Sequence, residues 1–160
     1  MFELLFLLGF SLHNLEEAIW LPEWSKQAKG FHKPVSKDEF YFAVICVTAI
    51  GYLITFQYFL LRYTHLEDVS KLLYLGFIMI MVLNAVFPHL AATIRLRQYA
   101  PGTITAIVLN LPIGLHILHR EIHTLKELLL TVVSGIPLAL VVLFLIRFGF
   151  RFGKKLGIKQ

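Results

Sequence analysis

Apolar residues fall in five blocks along the chain, separated by short polar stretches. Four of them, Phe40–Leu61, Leu72–Ile94, Gly102–Leu118 and Leu128–Ile146, contain no Asp, Glu, Lys or Arg. A helix rising 1.5 Å per residue needs about 20 such residues to cross roughly 30 Å of hydrocarbon. Each block therefore predicts one membrane-spanning helix, with Gly102–Leu118 the shortest. The remaining block, Phe2–Leu21, comes first and holds Glu3, Glu16 and Glu17. It lacks a basic leading region, and a His and two Glu lie where the small residues of a cleavage site belong, so it reads as a retained helix. The expected fold is all-α: a polytopic bundle of five spans forming a single integral-membrane domain over 1–160. Its one long connection is the Pro-, Gly- and Lys-containing loop Pro22–Glu39.

Composition agrees with that pattern. The chain is 58% hydrophobic and 16% charged, with mean hydropathy +0.73, against roughly 45–50% and about 25% in soluble domains. Disorder is excluded by the same figures. A disulfide framework is excluded by Cys46 being the only cysteine, and its mid-span place marks a packing residue. Lys and Arg outnumber Asp and Glu by 15 to 10. The cations flank the apolar blocks, so the expected partners are the bilayer and its anionic headgroups, and not nucleic acid.

The same cations predict orientation. Five spans put loop one, loop three and the C-terminus on one side, with Lys26, Lys29, Lys33, Lys37, Arg95, Arg97, Arg147, Arg151, Lys154, Lys155 and Lys159. The other side holds Arg62, Lys71, Arg120 and Lys126. Eleven against four predicts an outside N-terminus and a cytoplasmic C-terminus. The aromatic and basic tail from Arg147 reads as an interfacial anchor or a plain stop-transfer flank.

The costly residues are in the first helix. Ionisable groups in a membrane helix cost about 2.5–3.5 kcal/mol each on insertion scales, so they point to function. In His13-Asn14-Leu15-Glu16-Glu17, Glu16 falls about 60° to one side of His13 and Glu17 about 40° to the other. The arc they share also holds Phe6, Gly9 and Trp20, while Leu4, Leu8, Leu15 and Ile19 lie opposite and can meet lipid. One imidazole and two carboxylates on a face can ligate a metal, act as general acid and base, relay protons or cations, or clasp helices together. Spacing leaves these open.

Depth nominates partners. Asn84 and His89 in the third helix, and the basic loop Arg95–Gly102 with Arg95, Arg97 and Tyr99, lie at the level of His13. Pro88 removes the helical bond to the Asn84 carbonyl. Asn84 and His89 are about 140° apart on a straight helix, so only a bend or unwinding at Pro88 aims both at one cavity. In the fourth helix Thr103, Ala106, Asn110 and Gly114 form a small-residue stripe suited to close packing, with Asn110 a candidate for the cavity wall. A rival set, His116, His119, His123 and Glu127, shares a face at the opposite surface. It reads more simply as a solvated helix end.

The string His13-Asn14-Leu15-Glu16-Glu17 near the start of a small multi-span chain resembles the HXXEE-domain family of bacterial membrane proteins. The likeness continues through Asn84, His89 and Tyr99-Ala100-Pro101-Gly102. It implies a multi-pass location in the bacterial inner membrane and supports the site, but assigns no reaction. The leading expectation is an enzyme, metal-dependent or acid–base, acting on a lipid or amphipathic substrate. His13, Glu16, Glu17 and His89 are its catalytic or divalent-metal-ligating groups, and Asn84, Arg95, Arg97, Tyr99 and Asn110 meet the substrate. The alternatives are a transporter or ion-coupled binding protein using the same groups as a proton or cation site, and a structural or accessory subunit.

Overall fold

The computed structural model describes residues 1–28 and 31–155, the side chains of 153–155 excepted. Lys29 and Lys159 of the charge count lie outside the described residues, and so do the side chains of Lys154 and Lys155. The described residues form five helices. α1 is Phe2–Gln27, α2 Lys37–Leu60 and α3 Glu67–Leu96. α4 spans 103–121 as three consecutive helical pieces, Thr103–Thr105, Ala106–Asn110 and Leu111–Glu121. α5 is Leu125–Lys155. Four of these, α1, α2, α3 and α5, are long and apolar enough to cross a membrane. The protein is an all-helical membrane bundle.

α3 sits at the centre, packing against α2, α4 and α5 and meeting α1 through aromatic side chains. Phe6 and Phe10 of α1 meet Phe77 of α3 edge-on, at ring separations of 6.0 and 5.1 Å, and Tyr74, Ile78, Val82 and Ile117 complete the core. Gly76 lets α3 approach α5. A Cβ there would lie 2.7 Å from Ser134 Oγ and 3.1 Å from the Gly135 backbone nitrogen. Leu4, Leu8, Leu15 and Ile19 face outward, as a lipid-facing stripe does.

α4 runs antiparallel to α1 over the height of the bundle. Thr105 bonds Glu16, a Cβ on Gly9 would meet Asn110, one on Gly114 would meet Phe6, and Arg120 pairs with Glu3. Glu121 pairs with Lys71 at 2.8 Å, so the N-terminus, the start of α3 and the end of α4 share one end. Loops one and three lie at the other. This is the alternation that five passes require.

The observed helices run past the expected apolar blocks at several ends, furthest in α5, which continues from Ile146 to Lys155, and in α1. α1 continues through Pro22 to Gln27, so loop one is shorter than Pro22–Glu39. Polar residues end the apolar block but not the helix: Lys26 pairs with Glu23 at 2.8 Å, one turn apart. Ser25 donates to the Pro22 carbonyl and accepts from Val35 N–H, tying the loop back.

Candidate functional site

The helical register of α3 changes across Ala85–Leu90. Phe87 leaves helical geometry (φ −134°, ψ 119°), the conformation a following proline favours, and the Phe87–Pro88 peptide is cis. The unwinding reorients His89 relative to Asn84, and both line one chamber. Below it, Arg97 ends the helix in a left-handed conformation (φ 50°), and loop three turns at Pro101 and Gly102.

That turn places two carbonyls against two histidines. His13 Nδ1 lies 3.1 Å from the Gly102 carbonyl and His89 Nδ1 lies 2.9 Å from the Pro101 carbonyl. A carbonyl only accepts, so both Nδ1 atoms carry a proton, and in a neutral ring the Nε2 atom then presents its lone pair. The rings stand edge-on, 4.8 Å apart. Glu17 lies between them, one oxygen 3.3 Å from His89 Nε2 and the other 3.8 Å from His13 Nε2. His13 Nε2 is buried with no hydrogen-bond partner.

Two imidazole Nε2 atoms and one carboxyl group thus converge on a single point. His13, Glu17 and His89 each offer one ligand atom, all within 4.8 Å of one another. A tetrahedral ion with bonds of about 2.1 Å sets its ligands about 3.4 Å apart, close to the two shorter separations. Among the described residues this is the only such His/Glu group. His116, His119 and His123 do not join it. His119 is exposed and His116 packs its ring on Phe2 at 4.1 Å, while Glu127 caps the start of α5 through the His123 and Thr124 N–H groups.

Glu16 does something different. Its carboxylate accepts from the Tyr99 hydroxyl, the Gly102 N–H at 2.9 Å, and the Thr105 N–H and hydroxyl at 3.3 and 2.6 Å. It holds loop three, and through it the two carbonyls, and does not face the trio. Burial first, and the Glu16 bond second, push the Tyr99 hydroxyl up to about 12. Tyr99 stays a donor, in a separate groove on the outer side of α1.

The chamber above the trio has a volume of about 420 Å³, within the ordinary range of ligand pockets. Its walls come from α1, α2, α3 and α5 and are mostly apolar; Asn14 and Asn84 are polar exceptions. The Asn84 amide makes no hydrogen bond among the described residues, whereas Asn14 donates to Thr48 Oγ1 at 2.8 Å. Arg95 and Arg97 lie outside the chamber. Asn110 is fully buried against Gly9, away from the chamber, with both amide atoms unpartnered. So the structure gathers His13, Glu17, His89 and Asn84. It puts Glu16 and Tyr99 behind them and Arg95, Arg97 and Asn110 elsewhere.

Three contributors carry little signal in the sequence. Thr105 looks like an ordinary helix residue, the Pro101 and Gly102 carbonyls have no side-chain signature, and Leu138, Ala139, Val142 and Leu143 of α5 belong to a featureless apolar run. Only Gly102 leaves a trace. Its φ is +87°, and a methyl added there would lie 2.7 Å from His89 Cε1, so the position requires glycine.

Comparison with known proteins finds a family model described as a protein of unknown function with an HXXEE motif, matching residues 4–117. The uncharacterized protein YrkK of Bacillus subtilis (strain 168) is 40% identical over 156 residues, covering 95% of each chain. No solved structure matches.

Proposed function

The chain belongs to the HXXEE family, and we propose that it is a membrane-embedded, metal-dependent enzyme acting on the polar part of a lipid or other amphipathic substrate. One observation carries the reading: two histidines with Nδ1 committed to backbone carbonyls turn both Nε2 atoms onto one carboxylate, at the wall of an apolar chamber. Carbonyl bonds of this kind commonly orient metal-ligating imidazoles. Two neutral imidazoles and one carboxylate also form the N/O donor set of catalytic divalent sites, where three protein ligands leave a coordination position for substrate. Such an ion polarises the bond it touches.

The chain's own residues supply the rest. The apolar walls hold the substrate's tail and exclude water. The free Asn84 amide orients its polar part. Glu16, Tyr99 and Thr105 keep loop three against the histidines. Arg95 and Arg97 reach anionic headgroups at the membrane surface, and the charge asymmetry supports the cytoplasmic side for that surface.

Metal analysis of protein purified in detergent tests this. A divalent ion at about one per chain is expected from the three-ligand set, with its loss in both His13→Ala and Glu17→Gln. Protein free of metal even after incubation with divalent ions, or metal retained by both variants, overturns the reading. Metal-free protein that carries solute or protons into proteoliposomes would favour the transporter.

A further inference from the structure

The chamber has two unlike ends. At the deep end Phe77 and Ile54 line it, and the edge-on Phe10–Phe77 pair seals it. These walls are apolar, so that end suits a hydrocarbon tail. At the loop-one end the lining changes to Trp24, Phe31, His32 and Phe40. Here two nitrogens lack a use. Trp24 Nε1 is a buried donor without a partner, an arrangement that costs free energy unless something accepts from it. His32 Nδ1 lies 2.6 Å from the Lys33 carbonyl and so carries the proton, which leaves Nε2 as the available ring atom. The two rings lie 6.2 Å apart, and the Lys33 side chain is exposed beside them.

We propose that Trp24 and His32 form a headgroup subsite for an oxyanion on a single-chain amphiphile whose tail reaches toward Phe77. The Trp24 N–H donates to the oxyanion, His32 Nε2 shares a hydrogen bond with the headgroup, and Lys33 adds positive potential at the mouth. This rests on the chamber being the substrate site. It adds a spacing: Glu17 and Trp24 are two turns apart on α1, about 10 Å, so the bond presented to His13, Glu17 and His89 lies inward of the charged head. A single-chain phospholipid with its ester linkage between phosphate and tail has that layout.

The test uses full-length protein in detergent micelles carrying Trp20→Phe, so that Trp24 is the one remaining indole. Lauroyl lysophosphatidate and monolauroylglycerol differ only in the phosphate. Saturable change of Trp24 emission is expected with both, at least about tenfold tighter for the phosphate probe, as one charge-assisted hydrogen bond allows. Inorganic phosphate alone should neither bind nor compete. In Trp24→Phe and His32→Leu, assayed with radiolabelled probes and confirmed folded by melting temperature, the preference should fall toward unity. Equal affinity for the two probes, or a preference surviving in both variants, overturns the subsite. Ala139→Phe, which fills the chamber, separates this from failure of the wider reading. If it abolishes binding while the phosphate preference is absent, the chamber reading stands and the subsite falls. If it leaves binding unchanged, both fall.

Discussion

His13 and His89 take their chemistry from two peptide carbonyls, and the motif divides its labour accordingly. The His turns its Nε2 inward, the first Glu clasps the loop that fixes that ring, and the second Glu faces it. The two carboxylates should therefore respond differently. Glu16→Gln weakens charge-assisted bonds from Tyr99, Gly102 and Thr105 and should lower stability by about 1–3 kcal/mol, read by thermal unfolding in detergent. In Glu17→Gln the new amide can donate to an imidazole Nε2, so stability should stay within about 1 kcal/mol while metal is lost. Gly102→Ala combines a left-handed backbone with a methyl 2.7–2.8 Å from both imidazoles. It should cost about 1–3 kcal/mol and abolish metal binding; unchanged stability would show that the turn does not constrain the histidines.

Helix packing builds the chamber's walls. α3 supplies the unwound stretch that delivers Asn84 and His89, and α5 closes the far side where Gly76 meets Gly135. Gly76→Val drives a side chain into the α5 backbone, an overpacking that typically costs about 1–3 kcal/mol. A lowered melting temperature with unchanged helix content by circular dichroism is expected, together with weaker amphiphile binding, because Leu138 and Ala139 move with α5. The unwinding was legible: Pro88, four residues after Asn84, had to break the ladder, and a ladder break was the one way to aim both residues inward. The extension of α1 past Pro22 was not, since apolar periodicity ends at the membrane face while a helix can continue through i,i+3 pairs such as Glu23–Lys26.

Across the molecule the two ends are chemically distinct. One has the His/Glu trio and chamber, the other a surface ion network of Glu3, Arg120, Glu121 and Lys71. Burial alone would raise the Glu121 carboxyl, but hydrogen bonds from Lys71 and Arg120 outweigh it and hold the group below its ordinary 4.5. A carboxyl that binds its proton less readily when folded stabilises the fold above its unfolded pKa, and that stabilisation is lost as acidification passes through the lowered value. Melting temperature should thus fall below about pH 4.5, and Glu121→Gln should flatten the decline. An unaltered acid profile in that variant would mean the network does not tie α3 to α4.

The helical membrane fold, the five blocks and the polar arc of α1 were all present in the sequence, because lipid forces backbone groups to pair within each helix and makes every buried charge conspicuous. The level of His89 with His13 followed from simple counting along spans that alternate in direction, which makes α1 and α3 parallel. What tertiary structure alone decided was which of two adjacent carboxylates faces inward, which carbonyls set the imidazole tautomers, and that Asn110 packs against Gly9 and away from the chamber. Those outcomes depend on how α4 and loop three dock onto α1. Docking is set by side-chain shape across helices distant in sequence, which no pattern along one helix records.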